Sequence, residues 1–187
     1  MSNNGSIDRS TGNVKIAISG KSGCGNTTVS RMLADTLKLR FINFTFRNLA
    51  KERGISMEEI ITLAAKDDNW DKEVDGRQVE LARKEGGCVL GSRLAIWMLP
   101  EADLKVFLFA RPETRAKRIQ EREGGSLDQI LESTAYRDKQ DSDRYLRIYN
   151  IDNDDYSKAD FVIKTDEIHP AEITEMIIAE LKKKLNN

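Results

Sequence analysis

The sequence predicts an α/β fold in which helices flank a central parallel sheet. Four short apolar runs, at 14–19, 88–90, 104–110 and 161–163, have the length and composition of buried strands. Segments with helical spacing of apolar residues separate each run from the next. Strands that alternate with helices in this way are typical of a parallel sheet with crossover connections.

The elements follow from local signals, taken in chain order. The strand at 14–19 leads through a Gly-rich loop into a helix, and Ser56 with Glu59 forms a capping-box signature for the next helix. Pro112 is suited to the first turn of a helix after the strand at 104–110. The predicted helices cover residues 27–37, 56–64, 70–84, 112–123, 126–149 and the segment from about 170 onward.

Composition excludes several classes of protein. Lys and Arg total 30 against 31 Asp and Glu, so the chain lacks the basic excess of a protein dedicated to nucleic-acid polymers or membrane surfaces. Two cysteines are too few for a disulfide framework, and no signal peptide or membrane span is evident. We expect a cytoplasmic protein with small-molecule partners.

The domain organisation is also simple. Residues 1–13 are polar and without period, which predicts a disordered tail. Residues 14–187 contain neither an internal repeat nor a low-complexity linker, and their length fits one domain.

The Gly-rich loop matches the Walker A pattern in its glycines, spacing and hydroxyl, and it lies between a strand and a helix, as that motif requires. Its backbone N–H groups and the helix start can bind nucleotide phosphates, and the Thr27 hydroxyl can bind Mg²⁺. The alternative is a Gly-rich turn without a ligand. The predicted phosphate-binding residues are Gly20, Lys21, Ser22, Gly23, Cys24, Gly25, Asn26, Thr27 and Thr28.

Asn26 stands where the Walker A pattern has a lysine that contacts the β- and γ-phosphates. Lys21, five residues earlier, has the offset of the signature lysine in deviant Walker A loops such as those of chromosome-partitioning ATPases. Lys21 either replaces the missing charge or is an ordinary surface lysine. Cys24 fits a small packing residue better than a reactive thiol.

Arginines are concentrated on two of the predicted helices. Arg115, Arg118 and Arg122 share one helix face, and Arg137, Asp141 and Arg144 share a face of the following helix. Arginine binds phosphate through two parallel hydrogen bonds, although a salt-bridged surface helix is the ordinary alternative. Two such helices beside a phosphate loop indicate phosphoryl transfer between two phosphorylated ligands.

From Val14 to Leu185 the chain resembles the short, archaeal-type cytidylate kinases. The segments that carry the resemblance are the phosphate loop, 46–54, 77–82, 93–98, 118–124 and 144–155. The resemblance implies a three-layer P-loop NTPase fold with a monophosphate-binding region at about 44–87 and a lid at about 112–126. It also implies a monomer that uses ATP and Mg²⁺ to convert CMP or dCMP to the diphosphate.

The resemblance further implies roles for the arginines. Arg47 and Arg93 would hold the monophosphate or its nucleoside, and the three arginines at 115, 118 and 122 would close over the transferring phosphoryl group as catalytic residues. Arg137, Asp141 and Arg144 would complete the acceptor site. Asp141, paired with an arginine, would supply the acceptor that cytosine's amine requires.

Three positions depart from the family pattern. Besides Asn26, Phe44 replaces an Asp at the substrate end of the second element, and Gly91 replaces a carboxylate before Ser92. Two alternatives to an active cytidylate kinase therefore stay open at the level of sequence. One is a nucleotide-binding sensor with little turnover, and the other is a kinase for UMP or another small acceptor.

Overall fold

The computed structural model describes residues 12–186. Five strands, β1 to β5, comprise Lys15–Ser19, Arg40–Ile42, Cys88–Gly91, Leu104–Phe109 and Phe161–Lys164. Eight helices, α1 to α8, comprise Asn26–Leu37, Phe46–Arg53, Met57–Ala64, Asn69–Arg83, Ala95–Met98, Pro112–Glu123, Leu127–Tyr149 and Pro170–Leu185. A short 3₁₀ helix, Tyr156–Lys158, precedes β5.

The strands form one parallel sheet in the order β2-β3-β1-β4-β5. Ile16 in β1 pairs with Val89 in β3 on one side and with Leu104 in β4 on the other. The chain therefore leaves β1 for one half of the sheet and returns to the other half through β4. Such a switch in direction opens a crevice at the carboxyl ends of the strands, where α/β proteins bind ligands.

Alternation of side chains along the strands builds a core on each face of the sheet. In β1, Ile16 and Ile18 pack with α1 and α8, whereas Ala17 faces the other side and packs with α4 and α5. Both faces are buried because the sheet lies between two layers of helices. The α/β class and the central parallel sheet that the sequence predicts are confirmed.

Helices α2, α3 and α4 form a small helical region beside the sheet edge at β2. Phe44, Leu49, Ile60 and Val74 make an apolar cluster of their own there. Ser56 begins α3 as the sequence predicts, because its side chain accepts a hydrogen bond from the Glu59 N–H at 3.0 Å.

The structure corrects the sequence-based prediction in two places. Strand β2 and helix α2 were not predicted, since a three-residue strand and an eight-residue helix rich in charge carry little periodic signal.

The predicted tail, 1–13, lies outside the described residues except for its last two. Of these, Gly12 accepts a hydrogen bond from the Gly87 N–H at 2.7 Å. Within residues 12–186, no helix has the length and apolarity needed to cross a membrane.

Candidate active site

A cavity of about 580 Å³ opens at the carboxyl ends of β1, β2 and β3. Its size lies within the range usual for small-molecule sites. All nine residues of the loop at 20–28 line one end, which we call the phosphate end. Helix α4 contributes Asp71, Asp75 and Gln78 to the lining, and we call this part the acidic end.

At the phosphate end, the loop carbonyls are bonded by side chains from outside the loop. Arg115 donates to the Ser22 carbonyl at 3.1 Å and Arg118 to the Gly23 carbonyl at 3.3 Å, while the Thr165 hydroxyl donates to the Cys24 carbonyl at 3.2 Å. These partners hold the carbonyls away from the space that a phosphate would enter. The first N–H groups of α1 have no partners within their helix, as at every helix start. Their positive potential is therefore available to an anion.

Close packing explains why glycine stands at two loop positions. A Cβ on Gly20 would lie 2.7 Å from the Leu108 carbonyl oxygen, and a Cβ on Gly23 would lie 2.8 Å from the Cβ of Arg115. Gly23 also has a φ of +85°, which non-glycine residues rarely adopt. Any side chain there would push the loop away from α6 and its arginines.

Both polar groups of the Asn26 side chain are bonded within the protein. Its Nδ2 donates to the Ser92 carbonyl at 3.1 Å, and its Oδ1 accepts from the Ser30 hydroxyl at 3.1 Å. A Cβ on Gly91 would lie 2.5 Å from the Ser30 Oγ and 3.1 Å from the Asn26 Oδ1. The two departures from the family pattern therefore touch each other, and an amide with a glycine occupies the space where the pattern has a lysine and a carboxylate.

Lys21 lines the cavity and forms an ion pair with Asp154, 2.5 Å from Nζ to Oδ1. The lysine side chain is 24% exposed and the aspartate side chain 64% exposed. Exposed ion pairs contribute little to stability, so this one opposes a change of partner only weakly.

Cys24 is buried, which raises the pKa of its thiol despite the opposing charge of Arg115. Its side chain therefore acts in packing.

The predicted arginines occupy different positions relative to the cavity. Arg118 and Arg122 on α6 line it. Arg115 does not, because its buried guanidinium pairs with Asp138 at 2.6 Å and supports the loop from beneath. Its position differs from the one that a residue closing over the phosphoryl group would take. Two further predicted residues, Arg47 and Arg137, are exposed and do not line the cavity.

Arg93 and Arg144 line the cavity and belong to a chain of alternating charges. Arg93 Nε lies 3.2 Å from Asp141, Arg144 Nη2 lies 2.7 Å from the same carboxylate, and Arg144 Nε lies 3.1 Å from Asp71. Asp141 is thus buried between two arginines and does not line the main cavity. Its oxygens are engaged by protein cations, which differs from the predicted role as the acceptor for cytosine's amine.

The acidic end was not predicted. Asp71, Asp75 and Gln78 stand at i, i+4 and i+7, so they share the face of α4 that meets the cavity. The signal was available, because polar residues interrupt the buried face of an amphipathic helix at these positions. Burial raises the pKa of Asp71, with Arg144 opposing, and burial raises the pKa of Asp75 to about 6.

Aromatic residues complete the cavity wall. Phe44, Phe46 and Tyr145 line it together with Val74, and the Arg144 guanidinium lies 5.3 Å from the centre of the Tyr145 ring. Phe44, which the sequence indicated as a departure from the family pattern, is also 8% exposed and part of the apolar cluster of the helical region. Flat apolar walls with polar groups at one edge suit a planar heterocycle.

Comparison with known sequences places the chain among nucleotide kinases. The sequence model of the cytidylate kinase-like family matches residues 15–167. Cytidylate kinase 2 of Borreliella burgdorferi is 50% identical over 175 residues, which cover 91% of this chain and 97% of that protein. The cytidylate kinase of Pyrococcus horikoshii is 39% identical over 168 residues, covering 89% of this chain and 87% of the relative.

Solved structures show the same architecture at low sequence identity. Shikimate kinase from Acinetobacter baumannii in complex with shikimate has a TM-score of 0.63 at 17% identity, covering 91% of this chain and 94% of that one. Deoxyadenosine kinase from M. mycoides with bound dATP has a TM-score of 0.56 at 16% identity, and the match covers 90% of this chain and 100% of that one. These likenesses show the α/β fold of P-loop kinases. The family model and the sequence relatives establish that the chain belongs to the cytidylate kinase-like family.

Proposed function

We propose that this protein is an ATP-dependent nucleoside monophosphate kinase that transfers the γ-phosphoryl group of ATP to CMP or dCMP. The observation that carries the proposal is the single cavity shared by the phosphate loop and the arginines Arg93 and Arg144. The loop would bind polyphosphate, and the two guanidinium groups line the same cavity. Relatives named cytidylate kinases match about nine tenths of the chain, which favours catalysis over a nucleotide-binding sensor.

Catalysis would consist of positioning and charge stabilisation, because phosphoryl transfer between two bound nucleotides needs no nucleophile from the protein. The loop N–H groups would hold the β- and γ-phosphates of ATP. Arg93 and Arg144 would hold the monophosphate in line with the γ-phosphorus. Arg118 and Arg122 extend from α6 into the same cavity, where they would neutralise the charge that spreads over the transferring group.

Lys21 would supply the positive charge that Asn26 does not. Its ammonium lies in the cavity wall and has only the exposed carboxylate of Asp154 as a charged partner within the described part of the chain. A triphosphate offers several negative charges to that ammonium in place of one. Lys21 can therefore move from Asp154 to the phosphates at little cost.

Mg²⁺ fits the residues present only in part. The Thr27 hydroxyl lies at the start of α1, within the cavity wall, and would bind the ion together with phosphate oxygens. Within residues 12–186 no cluster of three or more Asp, Glu, His or Cys could hold a metal. When bound, the ion would neutralise phosphate charge. Most of its shell would therefore come from nucleotide and water.

The test is ADP formation from ATP and Mg²⁺ with CMP, dCMP, UMP or AMP as acceptor. We expect turnover with the two cytidine nucleotides and a loss of at least about 100-fold in kcat for Lys21→Ala, as for removal of a transition-state contact. Lys38→Ala, which changes a lysine after the end of α1, should leave the rate unchanged. An absence of ADP formation with every acceptor, despite nucleotide binding, would contradict the proposal.

A further inference from the structure

The acidic end of the cavity contains a buried polar atom without a partner. Gln78 is 5% exposed, and its Nε2 donates to the Asp75 Oδ1 at 3.3 Å. Its carbonyl oxygen, Oε1, is buried and has no hydrogen-bond partner within the described residues. Because a buried unpaired acceptor costs free energy, its presence in a cavity wall indicates that a ligand supplies the missing donor.

Asp75 provides a second acceptor beside the first. Unlike Asp71 and Asp141, which pair with Arg144, Asp75 has no ion-pair partner among residues 12–186. It accepts hydrogen bonds from the Tyr149 hydroxyl at 2.8 Å and from Gln78. A carboxylate has about four acceptor positions, so capacity remains for a ligand. Its pKa is raised chiefly by burial, which shows how poorly the free protein solvates this charge.

The orientation of the Gln78 amide depends on Asp75. While Asp75 is ionised, it attracts the Nε2 of Gln78, and this leaves the Gln78 oxygen to face the ligand. The pair therefore offers two acceptor oxygens, one from each side chain, and Asp75 engages one of the two N–H groups of the Gln78 amide. A complementary ligand must offer an N–H₂ group at this edge.

Among pyrimidines, this requirement separates cytosine from uracil. Cytosine has an exocyclic amine at C4 with two N–H donors, whereas uracil has a carbonyl oxygen at the same position. A uracil oxygen placed against the two acceptor oxygens of the protein would leave all three oxygens without a hydrogen-bond donor. A buried site strongly disfavours such an arrangement. The aromatic and apolar residues Phe44, Val74 and Tyr145 would contact the faces of the ring.

We propose that Gln78 and Asp75 together read the amine of cytosine and thereby select CMP over UMP. This inference rests on the proposed function for its substrate class, and it assigns to helix α4 the role that the sequence placed on Asp141. The arginines Arg93 and Arg144 line the same cavity as this pair and the phosphate loop, and they would hold the monophosphate there.

The test compares two isosteric variants by kcat/KM for CMP and for UMP. Asp75→Asn replaces a pure acceptor with a group that can donate to Gln78 or to the base, and Gln78→Met removes the carbonyl oxygen at similar volume. Each should lower the ratio of CMP to UMP by at least about tenfold, and Asp75→Asn should do so partly by improving UMP. Equilibrium binding of CMP and UMP without ATP should show the same change, so the inference is tested even without turnover.

Two controls separate base reading from structural support. Glu80→Gln changes an exposed carboxylate on the same helix and should leave both rates unchanged. Tyr149→Phe removes a hydrogen bond to Asp75 and destabilises the packing of α7 on α4, but the Gln78 and Asp75 oxygens both remain. The ratio of kcat/KM for CMP to that for UMP should therefore stay within about threefold of the natural value. The inference is overturned if the ratio is unchanged in both Asp75→Asn and Gln78→Met, or if the CMP and UMP rates fall together.

Discussion

The two ends of the cavity differ in how completely the protein satisfies its own polar groups. At the phosphate end, Arg115, Arg118 and Thr165 bond the loop carbonyls, so the cradle is organised before a ligand arrives. At the acidic end, the described part of the chain gives the Gln78 oxygen no hydrogen-bond partner and Asp75 no ion-pair partner. A preorganised end stabilises whichever polyphosphate it binds, whereas an incomplete end selects the ligand that completes it.

The largest expected effect concerns the support of the phosphate end. Arg115→Met removes a buried cation and leaves Asp138 and the Ser22 carbonyl without their partner. We expect a loss of about 3–5 kcal/mol in the free energy of unfolding, because one member of a buried pair remains uncompensated. Urea denaturation measures this change, and ATP binding should weaken in parallel.

Lys117→Met is the matched control for this prediction, since Lys117 lies on the same helix and is exposed. Its stability should stay close to that of the natural protein. If Arg115→Met were as stable as Lys117→Met, this would show that Arg115 does not support the phosphate loop.

The next effect concerns the acidic end, where a substitution should raise the free energy of unfolding instead of lowering it. The folded pKa of Asp75 is about 6, against 3.8 for an ordinary Asp, so the stability that its protonation contributes is present below pH 3.8 and is lost as pH rises through 6. Asp75→Asn has no such loss. Asp71 raises this pKa further, while Tyr149, Arg144 and Arg93 lower it.

We therefore expect Asp75→Asn to be more stable than the natural protein at pH 7.5 by up to about 3 kcal/mol, and the difference to vanish near pH 4. Denaturation series at several pH values measure it. A difference that stayed constant with pH would show that Asp75 does not titrate in this range.

A smaller effect is expected where the two departures from the family pattern meet. Asn26→Ala removes the hydrogen bonds to the Ser92 carbonyl and from the Ser30 hydroxyl. Loss of these neutral bonds should lower the free energy of unfolding by about 1–2 kcal/mol. Nucleotide affinity should change less than in Lys21→Ala, because the Asn26 amide is uncharged and already bonded to Ser92 and Ser30. A larger loss of ATP binding in Asn26→Ala than in Lys21→Ala would assign the phosphate contact to Asn26 instead.

The smallest effect concerns the exposed partner of Lys21. Asp154→Asn frees the ammonium from its ion pair, so the KM for ATP should fall slightly, by less than about threefold. Initial rates at varied ATP measure the change. A rise in the KM comparable to that of Lys21→Ala would mean that Asp154 positions the lysine for the phosphates.

Sequence reasoning found the strands β1, β3, β4 and β5 and the long helices because each has its own periodic signal. It missed β2 and α2, which are short and take their structure from neighbours. At the site, it did not predict that Asp71, Asp75 and Gln78 line the cavity, and the roles it gave to the phosphate loop and to Asp141 stay predictions. An isolated sequence does not show that two arginines already engage that carboxylate.

The sequence by itself determined the phosphate loop and its place between a strand and a helix, because glycine spacing and helix initiation are local properties of the chain. Only the tertiary structure decided which polar side chains are satisfied. In the sequence, Asp71, Asp75 and Gln78 are only polar interruptions of a helix face, and they come to line the cavity because α4 packs beside α7 and the carboxyl end of β3. Burial and pairing depend on contacts between residues that are distant in sequence.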